Sequence, residues 1–310
     1  MTSPSSLPPA VNFHMWKPCN LRCRFCFATY DDDPALRGVR GGLPEADACK
    51  LIGMLRLAGV EKLNFVGGEP TLCPYLPALL RHSRNLGFVT TLVTNGAKLA
   101  QVLEAAPGCL DWVGLSVDSA DEAIQAELGR GRGDHVSKSV GLFRLLHERG
   151  IRVKLNTVVT SLNWEEDMRE FVQQVRPARW KIFQVLPVGG QNDGKVESLL
   201  ITREQFEAFV ARHRDLASDL LTIAAETTED LTGSYAMIDP LGRFFADRGG
   251  RYAYSDPILS VGIEAAFRQI DFSLKKFEDR GGLYEYRPNE VPLTIRGVPS
   301  RRASPDSTGA

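Results

Sequence analysis

Between residues 11 and 190, short runs of β-forming residues alternate with stretches whose apolar residues recur every three to four positions. That alternation restricts the fold more than any other feature of the chain. The clearest strands are Lys62–Val66, Val89–Val93, Trp112–Val117, Val153–Val159 and Trp180–Leu186. Helical patterns fall between them, at Glu45–Leu57, Val136–His147 and Glu165–Val175. Strands separated by helices of about 10–15 residues build βα units on a parallel sheet. About six such units fit before residue 190, too few to close an eight-fold barrel. The expected fold is therefore α/β, a partial (β/α)6 barrel over residues 11–190. A later block, with a helix at Arg203–Asp215, a strand at Leu221–Ala225 and a hairpin over Tyr235–Phe245, predicts an α+β extension over 191–290. The Ser/Pro-rich residues 1–10 and the tail 291–310 lack any apolar period and read as disordered.

Composition excludes several classes. With 43% hydrophobic and 24% charged residues, the chain is neither collagen-like nor disordered. A formal net charge of −1 gives no global attraction to a nucleic-acid polymer or an anionic membrane, so an anionic ligand needs a local cluster of cations. No apolar run reaches the ~18 residues of a membrane span, and the first residues lack the pattern of a signal peptide. A cytoplasmic protein is expected, with its six Cys as thiols or metal ligands.

Three of those Cys, Cys19, Cys23 and Cys26, form a CxxxCxxC triplet just after the first apolar run. Three close thiolates on a loop can ligate three irons of a [4Fe–4S] cluster and leave the fourth iron open to a chelating substrate. A zinc site with His14 as fourth ligand is the competing reading, although zinc favours two CxxC pairs. Cys49, Cys73 and Cys109 read as structural thiols. The rings of Phe25 and Phe27 flank Cys26, and apolar rings beside a cluster exclude water and tune its potential.

The triplet, with an aromatic before its last Cys, resembles the radical S-adenosylmethionine (SAM) superfamily. So does Gly67-Gly68-Glu69-Pro70, about forty residues further on and directly after a strand. In that superfamily this turn binds the amino group of SAM. Two glycines permit close approach to the backbone, and Glu69 can accept bonds from an ammonium. Within the superfamily the chain resembles the viperin-like nucleotide dehydratases over residues 11–286. The resemblance rests on Val11-Asn12-Phe13-His14, Leu128-Gly129-Arg130-Gly131, Asn163–Met168, Arg179-Trp180-Lys181-Ile182-Phe183-Gln184 and Arg280-Gly281-Gly282-Leu283-Tyr284. It implies a radical-SAM barrel whose mouth is closed by the C-terminal extension.

Charged residues inside the strand patterns carry independent weight. Lys62 and Asn64 share one face of their strand, Lys154 and Asn156 share a face of another, and Arg179 and Lys181 of a third. With helices outside, these side chains point into the barrel lumen. Buried unpaired cations are costly. Either each pairs with a carboxylate or sits at a rim, or an anion joins them, and a triphosphate carries enough charge to do so. The resemblance places Lys62, Asn64, Lys154, Asn156, Arg179 and Lys181 in a nucleotide pocket, Ser116 and Arg130 on SAM, and Tyr235 as a catalytic residue near the substrate ribose. Arg130 as a cap of the preceding helix, and Tyr235 as a half-buried strand residue, stay open. Asp239 and Arg243 read as a local structural pair, and the Arg248–Tyr252 segment resembles the part of the family that orders over the triphosphate.

Three departures matter, one of them Ala28-Thr29-Tyr30 after the triplet, which differs from the animal enzymes and bears on the cluster surroundings. The family's animal members carry an amphipathic membrane-binding helix that has no counterpart here. Thr228 stands where the family's base-reading segment has an Asn, and a hydroxyl is less selective than an amide. The base, among cytosine, uracil and guanine with a pyrimidine favoured, is left open. The resemblance implies a SAM-dependent lyase that removes water from a nucleoside triphosphate through a 5′-deoxyadenosyl radical, giving a 3′-deoxy-3′,4′-didehydro nucleotide in antiviral (antiphage) defence. It also implies an electron donor such as a flavodoxin or ferredoxin. A different radical-SAM enzyme, such as a peptide modifier, would bring further Cys for auxiliary clusters, and none follows Cys109. A non-catalytic zinc scaffold is the alternative from another class.

Overall fold

In the computed structural model, residues 7–284 and Tyr286 are described. The tail 291–310 and residues 1–6 lie outside them. Leu7 packs against the core and the carbonyl of Pro9 accepts from the amides of Glu61 and Lys62, both at 2.9 Å, so order begins ahead of residue 11.

Ten strands form one sheet: β1 (Ala10–Trp16), β2 (Lys62–Gly67), β3 (Val89–Thr94), β4 (Trp112–Ser116), β5 (Arg152–Val159), β6 (Arg179–Gln184), β7 (Thr222–Glu226), β8 (Met237–Ile238), β9 (Arg243–Asp247) and β10 (Tyr252–Pro257). Their order is β10-β9-β8-β1-β2-β3-β4-β5-β6-β7, with β7 and β10 at opposite edges, so the barrel is open. The six expected units are β1 to β6, paired in parallel. The extension lengthens this parallel sheet at both sides: β7 pairs parallel to β6, and β8 parallel to β1. The expected hairpin is the antiparallel β8–β9 pair.

Seven helices of the chain, α1 (Glu45–Leu57), α2 (Leu76–Asn85), α3 (Leu99–Ala105), α4 (Glu122–Glu127), α5 (His135–Glu148), α6 (Arg169–Val175) and α7 (Arg203–His213), follow β1 to β6. The strand residues that alternate with the lumen positions, among them Val11, Phe13, Leu63, Phe65, Val153, Leu155, Trp180 and Ile182, are buried in the main hydrophobic core. Each such side chain contributes about 1.5–3 kcal/mol by leaving water. Helix α6 starts four residues later than its apolar pattern predicts. The Met168 amide donates to His213 Nε2 at 2.9 Å and the Arg169 amide to Asp167 Oδ1 at 2.9 Å, which holds the preceding residues in turns. Helix α7 begins on a capping box between Thr202 and Gln205, worth about 1 kcal/mol. Cys73 and Cys109 lie in the core and Cys49 packs against it, as structural thiols should.

Candidate active site

The lumen face of the sheet is read off at a period of two. Ala10, Asn12 and His14 of β1, Lys62, Asn64 and Val66 of β2, Lys154, Asn156 and Val158 of β5, and Arg179, Lys181 and Phe183 of β6 all line one cavity of about 330 Å³. The strands run in parallel, so their C-terminal ends gather at one end of this cavity and their N-terminal ends at the other. The thiols of Cys19, Cys23 and Cys26 and the Gly67-Gly68-Glu69 turn occupy the first end. Lys62, Lys154 and Arg179 lie towards the second.

The Cys loop is clamped from two sides. Its entry runs against the Gly-Gly turn: the Gly68 amide donates to the Trp16 carbonyl at 2.6 Å and the Glu69 amide to Pro18 at 2.9 Å. A Cβ on Gly68 would lie 2.1 Å from the Lys17 carbonyl oxygen and 2.7 Å from that of Pro18. The loop's far side rests on the segment after α4, where Arg22 donates to Gly129 at 3.2 Å and Arg24 to Leu128 at 3.0 Å. A Cβ on Gly129 would meet the Arg22 carbonyl oxygen at 2.2 Å. Both glycines are thus required by the approach of the Cys loop itself, a reason the ligand argument from sequence did not contain. Gly68→Ala is expected to cost about 1–3 kcal/mol of overpacking. That corresponds to a Tm lower by about 5 °C in a thermal melt.

Glu69 is buried and bound by the protein on both oxygens. Oε1 accepts from the Thr71 amide at 2.9 Å and from the Thr71 and Thr94 hydroxyls at 2.5 Å each, and Oε2 from the Asn95 amide at 2.8 Å. Oε1 is saturated, so any ligand ammonium is left with Oε2. Burial pushes all three thiols upward, Cys23 to about 12, while the Arg130 guanidinium acts in the opposite sense. Arg130 is itself buried, paired with Asp118 through Nε, with its guanidinium carbon 5.5 Å from the centre of the Phe25 ring. It lines the cavity, as Ser116 does, and pairs with a carboxylate where a helix cap had been the alternative.

At the basic end the cations divide into two sets. Lys181 has a carboxylate: its Nζ lies 2.6 Å from Glu226 Oε1 and donates to the Tyr235 hydroxyl at 2.6 Å. The Tyr235 hydroxyl in turn donates to Glu226 Oε2 at 2.5 Å, and the Arg280 guanidinium stacks 3.6 Å from the centre of the Tyr235 ring. Burial lowers Lys181 to about 8 against the opposing pull of Glu226. Lys62, Lys154 and Arg179 form no salt bridge among the described residues. Burial, and then the neighbouring cations, push Lys62 and Lys154 well below the usual lysine range. The Nε of Arg179 and the Oδ1 of Asn156 are buried without a hydrogen-bond partner among the described residues. Asn64 donates to Asn12 at 3.0 Å and accepts from the Thr91 hydroxyl at 2.6 Å.

Of the sequence-predicted site residues, all but Pro70 and Thr228 line the cavity. Pro70 is buried and opens the single 3-10 turn that Glu69 caps. Thr228 sits in a capped turn of helix, where its amide donates to the side chain of Gln184 at 3.2 Å, and Gln184 is the residue that faces the lumen. Thr228 thus sits one residue contact behind the lumen lining and is not itself part of it. His14 also lines the cavity, its ring edge-on to Phe27, Tyr30 and Phe245 and its Nδ1 without a hydrogen-bond partner among the described residues. Burial lowers it to about 3, which keeps it neutral. Among the described residues no three His, Cys, Asp or Glu side chains converge on a single ion-sized point. Asp239 and Arg243 do pair, at 2.6 Å, and Asp33 joins them at 2.5 Å. Tyr252 faces the cavity, but Arg248 is an exposed partner of Asp271. Sequence reasoning missed Glu226, Arg280 and Tyr284. The last two lie in the quoted Arg280–Tyr284 segment, whose charge and aromatic ring in a Gly-Gly setting were the available signal.

Residues 16–175 match the Radical SAM superfamily. A nucleotide dehydratase from Flammeovirga pacifica, named as S-adenosylmethionine-dependent, is 40% identical over 291 residues, 93% of this chain and 99% of that protein. The chain belongs to the radical SAM superfamily and, within it, to the S-adenosylmethionine-dependent nucleotide dehydratases. A member from Lacinutrix mariniflava is 41% identical over 91% of this chain, which spans only 60% of that longer protein. A member from a Thermoplasmatales archaeon is 36% identical over 89% of this chain and 96% of its own. Among solved structures, the fold is like that of anSMEcpe with bound AdoMet (TM-score 0.60, 17% identity, 88% of this chain and 79% of that one). It is also like Streptococcus suis SuiB bound to S-adenosylmethionine (TM-score 0.59, 21% identity, 77% and 60%).

The cofactors of this superfamily are a [4Fe–4S] cluster and SAM, and the donor set at the first end of the lumen fits them. A cluster takes each thiolate on a different iron, which suits three thiols that border one cavity without converging on one ion. The Glu69 Oε2, the Ser116 side chain and the Arg130 guanidinium supply acceptor and donor groups beside it.

Proposed function

We propose that the protein converts a nucleoside triphosphate (CTP, UTP or GTP, with a pyrimidine favoured) to its 3′-deoxy-3′,4′-didehydro analogue. The observation that carries this reading is the lumen's polarity: three thiols at one end, and at the other three buried cations with no carboxylate among the described residues. A cluster held by Cys19, Cys23 and Cys26 would supply the electron for reductive cleavage of SAM, and the 5′-deoxyadenosyl radical so formed would take the ribose 4′ hydrogen. Gly67, Gly68, Glu69, Ser116 and Arg130 hold SAM, with Pro70 shaping the turn. Lys62, Lys154, Arg179 and Lys181 bind the triphosphate, and Asn64 and Asn156 orient the ribose along the lumen. Tyr235 keeps its proton, since burial raises it well above the usual phenol range. In this reading that proton, held by Glu226 Oε2 until substrate is bound, passes to the 3′ hydroxyl as it leaves as water, and Lys181, whose Nζ lies 2.6 Å from the Tyr235 oxygen, stabilises the phenolate. One further electron then completes the C3′–C4′ double bond, and a flavodoxin- or ferredoxin-type donor supplies it. A product lacking the 3′ hydroxyl cannot be extended by a polymerase, which is the basis for a role in antiphage defence.

The test is anaerobic. The protein reconstituted with iron and sulfide is reduced with SAM and each of CTP, UTP, GTP and ATP. One nucleotide is expected to raise 5′-deoxyadenosine and to yield a product lighter by one water in the mass spectrum. If 5′-deoxyadenosine forms at the same rate with every nucleotide and with none, the dehydratase reading is lost while the radical-SAM core stands.

A further inference from the structure

The N-terminal end of the lumen is closed by the segment that follows the Leu274–Asp279 helix. Tyr286 accepts from the Trp112 indole on its carbonyl at 2.9 Å, and its hydroxyl bonds to Glu61 at 3.0 Å, which ties the segment to the starts of β4 and β2. Tyr284 is thereby held inside the basic end. Its hydroxyl accepts from Lys62 Nζ at 2.6 Å and from Lys154 Nζ at 2.6 Å. Its ring lies 4.3 Å from Lys62 Nζ, 5.0 Å from Lys154 Nζ and 4.4 Å from the Arg179 guanidinium carbon.

A phenolic oxygen has two lone pairs and one proton. Beside a bound anion, where both lysines regain their charge, both lone pairs are taken by ammonium groups, so the one capacity left is the O–H itself. Among the described residues it then has no other hydrogen-bond acceptor. Two cations donating to a neutral hydroxyl also polarise it, which strengthens the bond its proton can donate. Burial raises Tyr284 to about 12, so the proton is present at neutral pH. An anion that enters this end meets Lys62, Lys154 and Arg179 and also a neutral donor oriented by two of them.

We propose that Tyr284 is a phosphate-binding residue, whose hydroxyl donates to an outer oxygen of the substrate's polyphosphate while its ring stays seated among the three cations. This deepens the nucleotide reading above and rests on it. The rival geometry is that the hydroxyl only fills the phosphate seat and is expelled when the anion arrives, and the two predict opposite signs.

The test is equilibrium binding of inorganic tripolyphosphate, which removes the base from the question, to the full, cluster-reconstituted protein and to Tyr284→Phe. Phenylalanine keeps the ring and its cation contacts and deletes only the hydroxyl. The affinity is expected to fall about tenfold, the value of one hydrogen bond to a charged group. Amide exchange of Arg280–Tyr286 in the wild-type protein is expected to slow when tripolyphosphate is added, a readout that holds even if the variant does not fold. Tighter binding by Tyr284→Phe, or faster exchange of the segment on adding the anion, shows a displaced placeholder and overturns the proposal. Equal affinity overturns it as well. If the wild-type protein binds neither tripolyphosphate nor any nucleoside triphosphate, the failure lies with the nucleotide reading.

Discussion

Cys23→Ser is expected to abolish the iron–sulfur absorbance of the reconstituted protein and to reduce SAM cleavage to background. The thiol is partly buried, and burial is the largest of the causes that drive it up to about 12 against the opposing Arg130 guanidinium. A group that resists ionisation so strongly is a thiolate only when a metal replaces its proton. Serine keeps the size and the hydrogen bonds but offers a far weaker acid and a hard oxygen, so the exchange of proton for iron fails. The loop itself should persist, because its clamps are backbone bonds to Gly129, Leu128 and the Gly-Gly turn. Cys49→Ser supplies the control. Its side chain is on α1, against the core and away from the lumen, and that variant should retain full absorbance. Unchanged iron content in Cys23→Ser, or zinc in place of iron in the wild-type protein, would sink the cluster assignment.

The fold was legible where periodicity was strong. Lys154 and Asn156 could be assigned to one face, and Val153 and Leu155 to the other, from a period of two, and the lumen lining follows that assignment, with Val158 joining the lysine face. Strand β8 was legible only as one arm of a hairpin, because two residues carry no period and their pairing with β1 is decided by tertiary contact. At the site, the thiol triplet and the Gly-Gly-Glu turn were visible since metal and backbone chemistry fix their spacing. The partner of Lys181 was not. Glu226 is 45 positions away and becomes its partner through the parallel register of β6 and β7, which sets Lys181 opposite Ala224. Tyr284 was hidden for a similar reason: a tyrosine after two glycines has no pattern, and only the closure of the lumen brings it to Lys62 and Lys154.

The separation of the cations into a paired Lys181 and unpaired Lys62 and Lys154 has a thermodynamic consequence that can be measured without turnover. A lysine whose folded value lies below its ordinary value of about 10.4 binds fewer protons folded than unfolded, so the ligand-free fold gains stability as pH rises between those values. A bound polyphosphate reverses the local sign and restores the charged form. Binding at pH 8 is therefore expected to take up protons, because Lys181 alone titrates near 8 and the other two lie well below their usual range. Phosphate groups with a second pKa of about 6 are fully ionised there and contribute no protons of their own. Calorimetric titrations in two buffers of different ionisation heat give the number directly, and the affinity should weaken as pH rises further. Lys154→Met tests the same balance from the protein side. Removing a buried lysine head group that has a hydroxyl and two aromatic rings for neighbours but no carboxylate relieves a desolvation cost, so the variant's Tm should rise. Its polyphosphate affinity should fall about 100-fold with the loss of a charge-assisted contact. A variant that melts lower and binds as tightly as the wild type would mean that Lys154 serves the fold and not the anion, and proton release on binding would count against the whole cationic seat.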